Sequence, residues 1–170
     1  MIIAAVQKTA AILGGAAIIG RYRSEDTFTI DVKERIFVMK VAKAWEEEGV
    51  TIPAPYNRTI KVLFAPDKKG VNEITFSHAL IHANSSTDSH THDRPELIII
   101  MSGRGIAVCN GVQMPVEPDV VLWIEAGEEH QMINTGYETL KLATVFIPAY
   151  TAEFNYNRCL EAAKKARENA

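Results

Sequence analysis

The 170-residue chain has few of the features that mark secreted, membrane-spanning or nucleic-acid-binding proteins. Its two cysteines, Cys109 and Cys159, lie far apart and outside any C-x-x-C pattern, so a reduced, intracellular protein with free thiols is expected. Its net charge is −3, and its 18 Lys and Arg residues form no basic patch. Nucleic acid is therefore not expected as a partner, because phosphate binding needs concentrated positive charge.

The longest apolar stretch near the N-terminus is "AILGGAAIIG" at residues 11–20. It is too short to span a bilayer, which needs about 20 residues. A signal peptide would carry positive charge ahead of the apolar region, where Lys8 is the single candidate. A packed helix over residues 1–20 is the preferred interpretation; a membrane or export segment and an upstream start site are the alternatives. We expect a cytoplasmic protein with no membrane partner.

Short strands separated by turns are predicted from residue 58 onward. Asn110-Gly111 is a strong signal for a two-residue hairpin. The turn spacing of roughly eight to twelve residues favours a sandwich or barrel over alternating βαβ units. Alternating or continuous apolar patterns predict strands within 59–65, 72–82, 96–103, 105–116, 120–127, 130–136 and 140–148.

The tail "TAEFNYNRCLEAAKKAREN" at residues 151–169 predicts a helix. Phe154, Leu160 and Ala163 can form an apolar stripe along it, and basic residues gather in its last turns. The expected organisation is an N-terminal helical or extended extension over residues 1–50, a β-barrel over 51–150 and a C-terminal helix over 151–170.

Two of the five histidines flank a single threonine in "SHTHDRPELIIIMSGRG", residues 89–105. In an extended segment, residues two apart point the same way, so His90 and His92 project together. Glu96 reaches the same face if the chain stays extended through Pro95, which biases its neighbour towards that conformation. Two imidazoles and a carboxylate on one face suit a divalent metal, although an ordinary polar turn has the same composition.

A second motif downstream strengthens the metal interpretation. The segment "EAGEEHQMIN" at residues 125–134 adds a further histidine and asparagine. Over roughly residues 58–148 the sequence resembles the cupin superfamily, whose motifs read G-x5-HxH-x3,4-E-x6-G and G-x5-P-x-G-x2-H-x3-N. The matching positions are His90, His92, Glu96 and Gly103 in the first motif, and Gly127, His130 and Asn134 in the second.

Three motif positions depart from the family pattern. Asn84 and Asp119 replace the leading glycines, and Glu125 replaces the proline of the second motif. Asn and Asp tolerate the left-handed backbone better than most residues, so both turns are expected to survive. Glu125 is expected to leave the turn before Gly127 less rigid.

The resemblance implies a mainly β fold: a single cupin-type double-stranded β-helix (jelly-roll) barrel, here with flanking N- and C-terminal helices. It also implies that a divalent metal is held by His90, His92, Glu96 and His130. Such a set leaves two positions open on an octahedral ion and contains no thiolate. Mn, Fe, Ni or Co are therefore expected, with Zn also possible.

Other residues are candidates for the pocket. His78 and His82 share one face of a predicted strand and become catalytic acid/base groups if that face lines the interior; otherwise one is exposed and the other is a core histidine. Arg58 could bind a carboxylate or phosphate on a ligand, with surface solvation as the alternative. Met132 has the same alternation as His130 and is expected to face the lumen and contact substrate. Because Ile98 and Ile100 also point inward, a small pocket is expected.

Two functions remain open from the sequence. The first is a metal-dependent enzyme acting on a small polar or carboxylated molecule by isomerase, decarboxylase, lyase or dioxygenase chemistry. The second is a non-catalytic module that binds a small molecule through the metal. A homodimer is expected in either case, because cupins commonly exchange N-terminal strands, and "RIFVMKV" at residues 35–41 could be that strand.

Overall fold

The computed structural model describes the backbone of residues 9–13, 16–24, 27–32 and 35–170, with side chains described from Met39 onward. The chain divides into two compact units, Met1–Lys43 and Ala44–Ala170. Within the described ranges, no helix has both the length and the apolar character needed to cross a bilayer.

The first unit contains an antiparallel sheet of four strands in sequential order: β1 (Thr9–Leu13), β2 (Ala16–Ser24), β3 (Thr27–Val32) and β4 (Arg35–Lys40). The helix predicted over residues 1–20 is therefore wrong for 9–13 and 16–20; residues 1–8 and 14–15 lie outside the described ranges. The physical reason lies in the pairing. Leu13 pairs with Ala16 and Thr9 with Gly20, so the two segments are antiparallel neighbours in one sheet. Composition alone did not separate this from a small-residue helix.

The segment suggested for strand exchange between subunits is paired with a strand of its own chain. Residues 35–40 form β4, which pairs with β3 of the same chain from Thr27↔Lys40 to Val32↔Arg35. The homodimer stays a prediction.

The second unit is mainly β, as predicted. Its elements are β5 (Val50–Ile52), β6 (Arg58–Phe64), β7 (Thr75–Ile81), β8 (Glu96–Ser102), β9 (Gly105–Cys109), β10 (Val112–Val116), β11 (Val121–Ile124), β12 (His130–Asn134), β13 (Leu140–Phe146) and α1 (Ala152–Glu168). They form one antiparallel sheet in the order β10-β9-β12 and a second in the order β11-β8-β13-β7-β6-β5. From β8 onward the chain crosses between the sheets at every connection except the β9–β10 hairpin, the pattern of a jelly roll.

One apolar cluster joins the two sheets. It takes Ile98 and Ile100 from β8, Leu142 from β13, Ala107 from β9 and Met132 from β12, all buried. These strands alternate between buried and more exposed positions, so one face of each sheet packs against the other. The strands that begin with Glu96 and His130 are therefore held in place by a packed core.

Several turn residues have the positive backbone φ angle that their turns need. Asn110 and Gly111 have φ of 47° and 80° and join β9 to β10, which confirms the two-residue hairpin. Asn84 and Asp119, which stand where the family motifs have glycine, have φ of 56° and 73°. The expectation that both turns survive these substitutions is confirmed, because short polar side chains tolerate this left-handed region.

Helix α1 confirms the predicted C-terminal helix, and it packs over β5 and β6. The predicted apolar stripe is confirmed for Ala163, which is buried, and for Leu160, which packs partly buried against the same cluster. It is wrong for Phe154, which is exposed; Cys159 is buried against Ile52 and Ile60 instead. The Val62 N–H donates to the Tyr156 hydroxyl at 2.9 Å. The helix is thus attached to the barrel by both apolar and polar contacts.

The start of α1 is held by an acidic residue from the β6–β7 turn. The Thr151 hydroxyl accepts from the Phe154 N–H, while the Asp67 carboxylate accepts from Ala152 at 2.6 Å and from Glu153 at 3.1 Å. Burial by itself would raise the pKa of the Asp67 carboxyl, but these two hydrogen bonds outweigh it and lower the pKa.

Replacing Asp67 by alanine is expected to lower the free energy of unfolding by about 1 kcal/mol at pH 7, as for loss of a helix cap. Because the folded pKa lies below the unfolded one, the carboxylate's contribution is fully present above the unfolded value of about 3.9 and is lost as the pH falls through the folded value. Urea denaturation of both proteins at several pH values tests this. Equal stability at pH 7 would show that Asp67 does not hold the helix, and Asp67→Asn, which keeps one acceptor, should lose less.

Candidate metal centre

The cluster is assembled by pairing a loop with a strand. His90 and His92 lie in the loop between β7 and β8, Glu96 begins β8, and His130 begins β12. The His90 N–H donates to the His130 carbonyl at 3.1 Å, and the His130 N–H donates back to the His90 carbonyl at 2.9 Å. The Gly127 N–H donates to the His92 carbonyl at 2.8 Å. Backbone hydrogen bonds therefore bring the two motifs together.

The four side chains converge on one point. The candidate ligand atoms of His90, His92, Glu96 and His130 all lie within 4.8 Å of one another. The Nε2 atoms of His90 and His92 are 3.1 Å apart, and Glu96 Oε2 lies 3.4 Å from His92 Nε2 and 3.1 Å from His130 Nε2. The structure thus brings together all four residues predicted as metal ligands.

Backbone carbonyls set the orientation of two imidazoles. His90 Nδ1 lies 2.9 Å from the Asp88 carbonyl oxygen, and His130 Nδ1 lies 3.0 Å from the Glu128 carbonyl oxygen. Because a carbonyl can only accept, each Nδ1 carries a hydrogen and donates it. Both Nε2 atoms are then directed into the cluster, the arrangement that metal-binding histidines commonly show.

Electrostatics favour positive charge at the centre of the cluster. Burial by itself would raise the pKa of the Glu96 carboxyl, but hydrogen bonds from His130 and His92 outweigh it and lower the pKa to about 2. Burial would lower the pKa of His130, whereas its hydrogen bond to Glu96 raises it above the ordinary value. The position that favours a proton on His130 also favours a divalent cation, so protons and metal compete there.

The donor set fits a divalent transition metal. Three imidazole nitrogens and one carboxylate oxygen suit Mn, Fe, Ni, Co or Zn, and they leave positions open on an octahedral ion. The set contains no thiolate, which distinguishes it from closed structural zinc sites rich in cysteine.

A buried ionic group lies directly behind His90. The Arg58 guanidinium donates to Asp88 Oδ1 at 2.7 Å, and Arg158 of α1 donates to Asp88 Oδ2 at 3.2 Å. Asp88 Oδ2 is also 3.6 Å from His90 Nδ1. Burial lowers the pKa of His90 to about 3, with the Arg158 charge adding to the effect. His90 is therefore neutral near pH 7 and available as a ligand.

The cluster borders a small cavity of about 50 Å³. Both Arg58 and Arg158 line it together with apolar side chains from the two sheets. Phe146 also packs on the His92 ring, with centroids 4.7 Å apart. The main lining residues are Arg58, Thr87, His90, Glu96, Ile98, His130, Met132, Leu142, Thr144, Phe146, Asn155, Arg158 and Cys159. The small, partly apolar pocket expected from the sequence is present.

Both residues predicted to contact substrate reach this cavity. Arg58 is 1% exposed and lines the cavity while paired with Asp88, so surface solvation is not its role. Met132 is buried on β12 and lines the same cavity as His130. Their contact with a substrate stays a prediction, but their placement is compatible with it.

The two residues predicted as acid/base groups lie elsewhere. His78 is buried on β7 beside the Phe76 ring, whereas its neighbours Ser77 and Ala79 line the cavity. Alternation therefore places His78 on the face that points away from the cavity. His82 follows β7 and is exposed. The structure does not bring this pair to the cluster, and the catalytic role assigned to it stays a prediction without support from its position.

Sequence reasoning missed Asn155, Arg158 and Cys159 at the cavity, and it missed Asp88 behind His90. Asp88 had a usable signal, because it lies two residues before His90 in the same extended stretch and so shares its alternation. The other three had none. They belong to α1, and nothing in a helical pattern tells which distant strands the helix covers.

An apolar groove of about 390 Å³ also reaches the cluster. It shares His130 and Met132 with the cavity, and its outer part includes Val112 and Trp123, which are 71% and 50% exposed. The candidate metal centre therefore borders a small, partly apolar cavity and a larger apolar groove.

Comparison with known proteins agrees with this architecture. An ectoine synthase from P. lautus superposes with a TM-score of 0.60 at 17% identity, covering 71% of this chain and 86% of that one. A predicted oxalate decarboxylase from Thermotoga maritima gives 0.57 at 23% identity, covering 64% and 98%. A Cupin 2 conserved barrel domain protein from Salinispora arenicola gives 0.51 at 23% identity, covering 64% and 90%. At these identities the similarity establishes the fold alone.

No curated protein matches the chain in sequence. Residues 77–146 match the Cupin_2 family model, described as a cupin domain. That segment contains both histidine motifs and the strands that hold them, and the jelly-roll order of the sheets agrees with it. Residues 77–146 therefore match a cupin domain in sequence, and the fold around them is the one that the resemblance implied.

Proposed function

We propose that this chain is a metal-dependent cupin enzyme that acts on a small polar or carboxylated molecule. The observation that carries the proposal is the convergence of four ligand atoms within 4.8 Å of one another at the wall of a cavity. His90, His92, Glu96 and His130 would hold the ion. A divalent metal bound there supplies a Lewis acid for a carbonyl or carboxylate oxygen, or a position for O₂, and so suits isomerase, decarboxylase, lyase or dioxygenase chemistry.

The chain's own residues prepare the site for such chemistry. The Asp88 and Glu128 carbonyls hold the protons of His90 and His130 on Nδ1, which keeps both Nε2 atoms free to bind. Glu96 is kept ionised by its two histidine neighbours. Phe146 and the barrel core exclude bulk water from one side of the cluster, which strengthens its electrostatic interactions.

Metal removal tests the proposal. Protein purified without added metal is expected to contain close to one equivalent of a divalent ion per chain, measured by elemental analysis. Chelation should abolish turnover in a screen of O₂ uptake and small carbonyl or carboxylate substrates, and one equivalent of metal should restore it. His130→Ala should abolish turnover, whereas Glu117→Ala, at an exposed position, should retain it.

Two results would count against the proposal in different ways. A protein that binds no metal in any medium would rule out the metal centre itself. A protein that binds metal and small ligands but turns none of them over would instead be a non-catalytic binding module, the alternative function.

A further inference from the structure

The guanidinium of Arg158 lines the cavity, although the residue belongs to the C-terminal helix and not to either sheet. It lies on α1 and lines the cavity together with His90, Glu96 and His130. Its NH1 donates to Asp88 Oδ2 at 3.2 Å and its NH2 donates to Cys159 Sγ at 3.2 Å. A guanidinium has five N–H donors, so these two contacts leave donors available.

One of the remaining donors is buried. Arg158 Nε is shielded from solvent and has no hydrogen-bond partner within the part of the chain that the structure describes. Buried polar atoms in folded proteins nearly always have a partner, either protein or bound solvent or ligand. An acceptor from a bound molecule would satisfy this N–H group.

The charges around the cavity favour an anion. Asp88 is held against Arg58 at 2.7 Å, and Glu96 is engaged by His92 and His130. Asp88 also accepts from Arg158 at 3.2 Å, so one carboxylate is shared by two guanidinium groups, and Glu96 belongs to the ligand cluster. The two arginines therefore carry one positive charge more than Asp88 offsets, and any divalent ion would add to the positive field.

We propose that Arg158 binds the carboxylate group of a small anionic ligand in this cavity. The inference deepens the proposed function and rests on it for the assumption that the cavity holds the substrate. The planar guanidinium fork matches a carboxylate in geometry. A cavity of about 50 Å³ compares with about 10–15 Å³ needed to hold one water on the same measure. It therefore accommodates the carboxylate and few further atoms, which selects short carboxylic acids over sugars or nucleotides.

Ligand titrations with the full chain test the inference. Acetate, oxalate, neutral acetamide and inorganic phosphate are titrated by NMR into metal-free and zinc-loaded protein. The carboxylates are expected to bind both forms and to bind more tightly than acetamide. Arg158→Met should weaken carboxylate binding about 10- to 100-fold, the range for hydrogen bonds to charged groups, and Arg158→Lys should lie between.

The matched control is Arg167→Met, the same substitution on the same helix at an exposed position. It should leave carboxylate affinity unchanged. Circular dichroism and thermal unfolding establish that each variant folds. If Arg158→Met does not fold, Arg158→Lys decides the matter, because it keeps the charge but loses the planar fork; unchanged carboxylate affinity in that variant overturns the inference.

The inference is also overturned if Arg158→Met binds carboxylates as tightly as the wild type, or if acetamide or phosphate binds better than the carboxylates. These outcomes are separable from failure of the proposed function. A protein that takes up no metal but binds acetate through Arg158 retains the anion site and loses the metal centre. A protein with one metal and no carboxylate preference retains the metal centre and loses the role of Arg158.

Discussion

Replacing His92 by alanine is expected to abolish stoichiometric metal binding. The His92 Nε2 atom lies 3.1 Å from His90 Nε2 and 3.4 Å from Glu96 Oε2, so it occupies one corner of the ligand set. Loss of an outer-sphere partner alone costs metal sites about 10- to 100-fold in affinity, and loss of a direct ligand should cost more than about 100-fold. Elemental analysis after dialysis, with competition against a chelator, measures the change.

The matched control for this experiment is His82→Ala. His82 is also a histidine in the same region of the chain, but its side chain is exposed and lies outside the cluster. We expect His82→Ala to retain the full metal content. Equal metal contents in the two variants would mean that the ion is not bound where the four side chains converge.

Replacing Asp88 by alanine is expected to lower the free energy of unfolding by about 3 to 5 kcal/mol. The Arg58 side chain is almost fully buried and loses its carboxylate partner in this variant. An uncompensated buried charge is strongly destabilising, whereas the intact pair need not add much stability over an apolar replacement. Urea denaturation, with the slope checked for two-state behaviour, gives the difference.

Glu117→Ala provides the comparison for an exposed ion pair. Glu117 lies 3.1 Å from Arg104, and both side chains are largely exposed, so its loss should cost less than about 1 kcal/mol. Asp88→Asn keeps an acceptor for Arg58 and should fall between the two. A loss below about 1 kcal/mol for Asp88→Ala would show that the Arg58–Asp88 pair is not needed to hold the fold behind His90.

Much of the candidate site could be predicted because its signals are local. The two-residue periodicity of an extended chain places His90 and His92 on one side, and Pro95 keeps the chain extended towards Glu96. The Asn110-Gly111 turn and the alternating strands predicted the β architecture in the same way. His130 lies far along the chain, and it was identified only through the resemblance of its segment to the second cupin motif.

The segments that local patterns left ambiguous have a physical cause in common. The run "AILGGAAIIG" is apolar throughout, so it lacks a periodicity that separates helix from strand, and the pairing of Leu13 with Ala16 decided the matter. His78 shares its strand with Ser77 and Ala79, and alternation alone leaves open which of the two faces points inward. That choice depended on how the neighbouring strands β6 and β13 pack against β7.

The sequence by itself determined the mainly β fold, the C-terminal helix and the candidate ligands His90, His92 and Glu96, because each rests on contacts or turn preferences between residues near in sequence. The fourth candidate ligand, His130, came from the resemblance of its segment to the second cupin motif. Only the tertiary structure decided that α1 brings Arg158 to the cavity and that Asp88 joins Arg58, Arg158 and His90. These contacts join residues 30 and 70 positions apart. They depend on where the helix and the loop pack, which no local pattern encodes.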